Sequence, residues 1–111
     1  MFLQPSAANY AEHARIFSAL GDETRLAIIA KLCKNQPLSV AELTENTNLT
    51  RQAISKHLRI LECAGLVESV RIGRETLFEV RTQKLADVRR HLDVISQQWD
   101  GALERLQLFV E

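Results

Sequence analysis

Along the first fifty residues apolar positions recur at helical rather than strand spacing. Tyr10, Ala14, Phe17 and Leu20 share one face of a segment that Ser6 is placed to cap and Gly21 to end. Asp22 opens a second helix, predicted to turn Leu26, Ile29, Ala30 and Cys33 to one side. It stops at Asn35-Gln36-Pro37, because proline has no N–H to continue the ladder. Ser39 and Glu42 form an S-x-x-E capping box, so a short third helix is expected from about Val40 to Asn46. After the polar turn Thr47-Asn48-Leu49, Thr50 caps a helix with Ile54, Leu58 and Leu61 on one face and Gly65 as its stop. Two helices joined in this way have helix-turn-helix proportions. The period then changes to two: Leu66 to Ile72 is β-branched and alternating, Gly73-Arg74-Glu75 carries turn chemistry, and Thr76 to Val80 alternates again. These segments predict a β-hairpin.

The most regular pattern comes last. Leu85, Val88, Leu92, Ile95, Trp99, Ala102, Leu106 and Phe109 follow one another at intervals of three and four, an uninterrupted heptad seam. A helix of about 25 residues spans about 37 Å, more than a body of this size covers. Part of the seam is expected to pack on the first helices and the rest on a second copy of the chain, since an uncovered stripe would expose a tryptophan. The elements together predict a mainly α fold with one small β-hairpin. It reads as a winged helix-turn-helix with a long C-terminal dimerisation helix. One domain is expected over residues 1–111, with the helix-turn-helix at about 40–64 and the wing at about 66–80. The dimerisation helices fall at about 7–20 and 84–109.

Composition narrows the setting. The longest purely apolar run, Leu26 to Ala30, falls far short of the roughly 20 residues a membrane span needs. The start, Met1 to Ser6, lacks the basic and apolar stretches of a secretory signal. Two cysteines in 111 residues are too few for a disulfide scaffold, so a reducing, cytoplasmic location is expected. Charge is distributed unevenly along the chain. The 14 basic and 14 acidic residues cancel, which on its face argues against nucleic acid. Position reverses that: residues 50–74 hold five basic and two acidic side chains, a net of +3, whereas residues 83–111 hold four basic and five acidic, a net of −1.

With Ile54, Leu58 and Leu61 facing inward at 100° per residue, Gln52, Ser55, Lys56 and Arg59 project to the opposite side, and Arg51 sits in the first turn. Arginine and lysine suit guanine O6 and N7 or phosphates, glutamine pairs with adenine, and serine suits either. The free N–H groups at the helix start favour a phosphate. A helix alone with this face could simply be solvated; the capped helix before it and the hairpin after it favour a DNA reader. Arg71 and Arg74 flank the hairpin tip, within reach of backbone or minor groove. No Gly-rich phosphate loop, nucleophile–base pair or paired carboxylates can be read, so catalysis is not expected.

The chain resembles an ArsR-family winged-helix transcriptional repressor. The matching stretches are Phe17 to Leu26 (FSALGDETRL), Ser39 to Leu43 (SVAEL) and Leu49 to Val67 (LTRQAISKHLRILECAGLV), and with the wing they cover about residues 13–80. The resemblance implies a homodimer held by its first and last helices, with two reader helices in successive major grooves of an inverted repeat. It carries DNA reading to Arg51, Gln52, Ser55 and Lys56, in agreement with the helical wheel. Thr50, His57, Arg59, Arg71 and Arg74 complete the expected double-stranded DNA surface. His57 falls between the inward and outward faces, where packing or phosphate contact suits it better than catalysis. The expected dimer contacts are Tyr10, Phe17, Leu92, Ile95, Trp99, Leu103 and Leu106.

Many members of that family release DNA on binding metal, through Cys-x-Cys on the third helix or Asp-x-His followed by His-x-x-Glu or His-x-x-His on the last. Here the third helix reads Val40-Ala41-Glu42-Leu43, and Asp87 is followed by Arg89 and His91, so neither pattern survives and no metal or other cofactor is expected. Asp87 and His91, four apart, are expected to form a weak ion pair. His13 has no second ligand near it in sequence. Cys33 and Cys63 read as buried small hydrophobes rather than a redox pair. The tail from Gln98 to Leu106 resembles the branch of the family without these ligands, whose effectors cannot be read from sequence. The competing class is a winged helix that docks a protein and binds no DNA.

Overall fold

The computed structural model describes residues 7–110, and side chains from Tyr10 to Phe109. Seven elements follow in order: α1 (Ala7–Leu20), α2 (Glu23–Lys34), α3 (Val40–Thr44), α4 (Arg51–Cys63), β1 (Val67–Ile72), β2 (Glu75–Val80) and α5 (Thr82–Val110). The cap proposed at Ser6 lies outside the described residues.

Local chemistry sets the helix ends. Asp22 accepts from the Arg25 N–H at 3.0 Å to start α2. At α3 both halves of the capping box form: the Ser39 Oγ accepts from Glu42 N at 3.1 Å, and the Ser39 N–H donates to Glu42 at 2.9 Å. Thr50 Oγ1 accepts from Ala53 N at 3.0 Å to start α4. That helix closes in a Schellman turn, with Leu66 N donating to Leu61 O and Gly65 N to Glu62 O, both at 3.0 Å. The turn requires the left-handed φ of +80° that Gly65 supplies.

α3 ends at Thr44, two residues before the predicted stop. Lys31 caps it from α2, donating to the Leu43 carbonyl at 3.4 Å and to the Glu45 carbonyl at 3.2 Å. Thr47 Oγ1 donates to Thr44 O at 2.6 Å, which tightens the turn into α4.

The core gathers Ile16, Ala19, Ile28, Leu32, Leu43, Ile54, Leu58, Leu61, Leu66, Val67, Val80 and Val88. The faces read from the sequence for α4 and, on its α5 side, α1 are present, but that for α2 needs correction. In α2 the inward residues are Ile28 and Leu32, whereas Leu26, Ala30 and Cys33 are exposed and Ile29 is half-buried. α2 has apolar residues nearly all round, so periodicity alone could not choose its buried side. In α1, Ile16 and Ala19 enter the core, while Tyr10, Ala14 and Phe17 turn toward α5. α1 therefore has two apolar faces, and the sequence reading found the one beside α5. Both cysteines are exposed, contrary to expectation: Cys33 sits away from the Ile28 and Leu32 side, and Cys63 lies beyond the buried Leu61.

β1 and β2 pair antiparallel from Val67 opposite Val80 to Ile72 opposite Glu75. The loop is thus only Gly73-Arg74, shorter than predicted, with Gly73 at φ +63° in the first central position of a two-residue hairpin turn. An antiparallel bridge between Leu38 and Phe78 docks the hairpin on the helices, with N–O distances of 3.0 and 2.7 Å. Gln36 also accepts from the Val80 N–H.

α5 begins two residues before the predicted start and runs for 29 residues. Leu85 and Val88 pack on the core, and Lys84 pairs with Glu12 of α1 at 2.7 Å. Further along, Leu92, Trp99, Leu103, Leu106 and Phe109 are exposed, Trp99 by 67% and Phe109 by 89%. The chain, α5 included, is elongated, measuring 61 × 31 × 20 Å.

Candidate nucleic-acid interface

The capped start of α4 and its buried Ile54, Leu58 and Leu61 determine what its other side presents. Arg51, Gln52, Lys56 and Arg59 are exposed, and together with Ser55 they line one shallow groove on the outer face. Ser55 is half-buried, so it sits at the flank of this surface rather than at its centre. Thr50 is exposed at the helix start, its oxygen engaged as the cap. The groove carries three cations and no carboxylate, and its lining residues are donors or can act as donors. Such a surface suits phosphates and base edges.

His57 occupies the opposite flank, half-buried, with Nδ1 3.3 Å from Arg25 Nη1 and 3.8 Å from Asp22 Oδ2. The Arg25 N–H bond, and after it the charge of Arg25, hold the Asp22 carboxyl below its ordinary pKa. This link between the start of α2 and the reader helix was not read from the sequence. It joins positions 32 residues apart in the chain, and no local pattern marks it.

Arg71 and Arg74 are exposed at the far end of the hairpin, Arg71 opposite Thr76 and Arg74 in the turn itself. The bridge at Leu38 and Phe78 anchors the other part of the wing, leaving this charged tip free to reach outward.

A second surface, between α1 and α5, is apolar. Tyr10, Ala14 and Phe17 of α1 with Val94 and Ile95 of α5 line a groove of about 300 Å³. His13 and His91 stack within it, ring centroids 4.1 Å apart. Burial, and then the charge of His13, hold the His91 ring below its ordinary pKa of 6.5. His13 thus has a histidine neighbour that sequence distance concealed. The ion pair expected between Asp87 and His91 is replaced, since Asp87 pairs with Arg90 and His91 turns to α1.

A capped helix pair presenting a basic donor face, followed by a hairpin with an arginine tip, defines a winged helix-turn-helix regulator. The family description "Bacterial regulatory protein, arsR family" matches residues 22–69. The HTH-type transcriptional regulator Rv2034 of Mycobacterium tuberculosis is 35% identical over 86 residues, covering 78% of this chain and 79% of the relative. This chain belongs to the ArsR family of transcriptional regulators. Among solved structures, an ArsR-like transcriptional regulator from Rhodococcus sp. RHA1 is similar at TM-score 0.78 and 38% identity, over 95% of this chain and 98% of the other. The homodimeric winged helix-turn-helix DNA-binding domain of Mb0332 from Mycobacterium bovis is similar at TM-score 0.66 and 27% identity, over 95% of each.

Proposed function

We propose that this chain is a single-domain, cytoplasmic repressor that binds double-stranded DNA as a homodimer and acts by covering a promoter at an inverted-repeat operator. The observation that carries this reading is the outer face of α4, where Arg51, Gln52, Ser55, Lys56 and Arg59 line one groove opposite a fully buried stripe. Arg51, Gln52, Ser55 and Lys56 read bases or hold phosphates in the major groove. Thr50, His57, Arg59, Arg71 and Arg74 contact the backbone around them. Tyr10, Phe17, Leu92, Ile95, Trp99, Leu103 and Leu106 form the subunit contact, a reading supported by the exposed apolar side of α5.

The test begins with selection of bound fragments from the host genome, which yields the operator. Lys56→Ala and Arg51→Ala are each expected to weaken operator binding about tenfold in a mobility-shift titration, with the dimer intact by light scattering. Wild-type affinity in both variants would remove the reader role from α4. Binding should also weaken steeply as salt rises; a salt-insensitive interaction would point instead to a protein-docking module.

A further inference from the structure

One residue of α2 links the end of α1 and the start of α2 to α4. The Arg25 Nε–H donates to the Ala19 carbonyl in the last turn of α1 at 2.6 Å. Its backbone N–H donates to Asp22 at 3.0 Å, and its Nη1 lies 3.3 Å from Nδ1 of His57 on α4. A guanidinium has donors only, so at this distance His57 Nδ1 is the acceptor and the proton of the neutral ring sits on Nε2. Asp22 Oδ2 stands 3.8 Å from the same Nδ1, beyond hydrogen-bond reach, and does not compete for it. Among the described residues Nε2 has no partner and is not buried, and the side chain keeps 23% of its surface exposed.

We propose that Arg25 is a positioning residue for DNA recognition: by holding His57 in the Nε2–H form, it makes the free edge of that ring a fixed hydrogen-bond donor to a DNA phosphate beside the reader helix. The role rests on the DNA-binding reading above. A donor fixed before binding loses less freedom on contact than a long lysine or arginine side chain does. The arrangement also has a defined failure. Without Arg25, the nearest charged group to Nδ1 is the Asp22 carboxylate, which attracts a proton to that nitrogen. The free Nε2 edge then presents a lone pair to the phosphate and repels it.

The first measurement is the imidazole ¹⁵N spectrum of the wild-type protein at about pH 8. His57 is expected to show an acceptor-type Nδ1 and a protonated Nε2. In Arg25→Met the proton is expected to move toward Nδ1, operator affinity to fall about tenfold, and the dimer to persist. Arg25→Lys, which keeps a donor, should recover part of the affinity. His57→Asn, whose amide oxygen replaces Nδ1 but which has no group at the Nε2 position, should lose a similar factor with its thermal midpoint unchanged. That variant keeps the test available should Arg25→Met not fold. A wild-type ring protonated on Nδ1 would overturn the proposal, as would an unchanged tautomer in Arg25→Met. Wild-type affinity in both Arg25→Met and His57→Asn would do the same. A wild-type protein that binds no DNA would remove the functional reading together with this role. Wild-type binding that Arg25→Met leaves unaltered would remove only the role of Arg25.

Discussion

His91 couples the packing of α1 against α5 to pH. Its ring stacks on His13 and lies near Tyr10 and Phe17, with centroid distances of 6.2 and 6.0 Å. Burial and the adjacent His13 lower its pKa below 6.5, so the folded chain favours the neutral ring while the unfolded chain takes up a proton near 6.5. Between the two values the unfolded state binds more protons, and stability falls as pH falls. Urea midpoints of the wild type should therefore drop as pH decreases from about 6.5, and His91→Phe should flatten that slope. Equal slopes in the two proteins would remove His91 as its source. Asp22 acts in the same direction at lower pH: its depressed carboxyl adds stability above the ordinary aspartate range, and that contribution is lost as pH falls through the folded value.

At the scale of elements, the end of α4 sets the start of the wing. Gly65 reverses the chain at φ +80°, and Leu66 and Val67 then enter the core. A Cβ at residue 65 would meet Lys84 Cε at 3.2 Å as well as the strain of the left-handed backbone. Gly65→Ala is expected to cost about 1–2 kcal/mol, read as a lower urea midpoint with an unchanged slope. A midpoint equal to wild type would show that the turn relaxes into another conformation. Gly73→Ala meets no neighbouring atoms at the hairpin tip, so its strain is conformational alone and local to the wing.

For the whole molecule, the long apolar side of α5 and the cationic outer face of α4 are two separate surfaces. Among the described residues, Leu85 and Val88 are covered by the chain's own core, while Leu92, Trp99, Leu103 and Leu106 are exposed in a single chain. Trp99→Glu puts a charge in the middle of that stripe and is expected to convert a dimer to monomers in light scattering, with the helical far-ultraviolet spectrum kept. Monomers would then bind the operator far more weakly, because each half-site contact would lose the effective concentration that its partner provides. A Trp99→Glu protein that remains dimeric would show that the subunit contact lies elsewhere. The zero net charge fits this arrangement, since positive charge is concentrated on residues 50–74 and offset by small acidic excesses on either side of that stretch.

Where local chemistry is self-sufficient, the chain's own sequence determined the structure. The Asp22, Ser39 and Thr50 caps, the Gly65 stop, the Gly73 turn and the α4 stripe all rest on interactions within a few residues, and all were legible. The outer face of α4 followed from its inner one, so Arg51, Gln52, Lys56 and Arg59 could be named in advance. Packing between distant segments set the features that depend on which neighbour arrives. It chose Ile28 and Leu32 as the inward side of α2, because a helix with apolar residues nearly all round has no unique stripe. It exposed both cysteines and joined Leu38 to Phe78 through a bridge too short to leave a pattern. It also set His13 against His91 and Arg25 against His57, pairs separated by many residues and joined only when helices pack. Burial and electrostatics depend on distance in space, and that distance is a property of the packed fold.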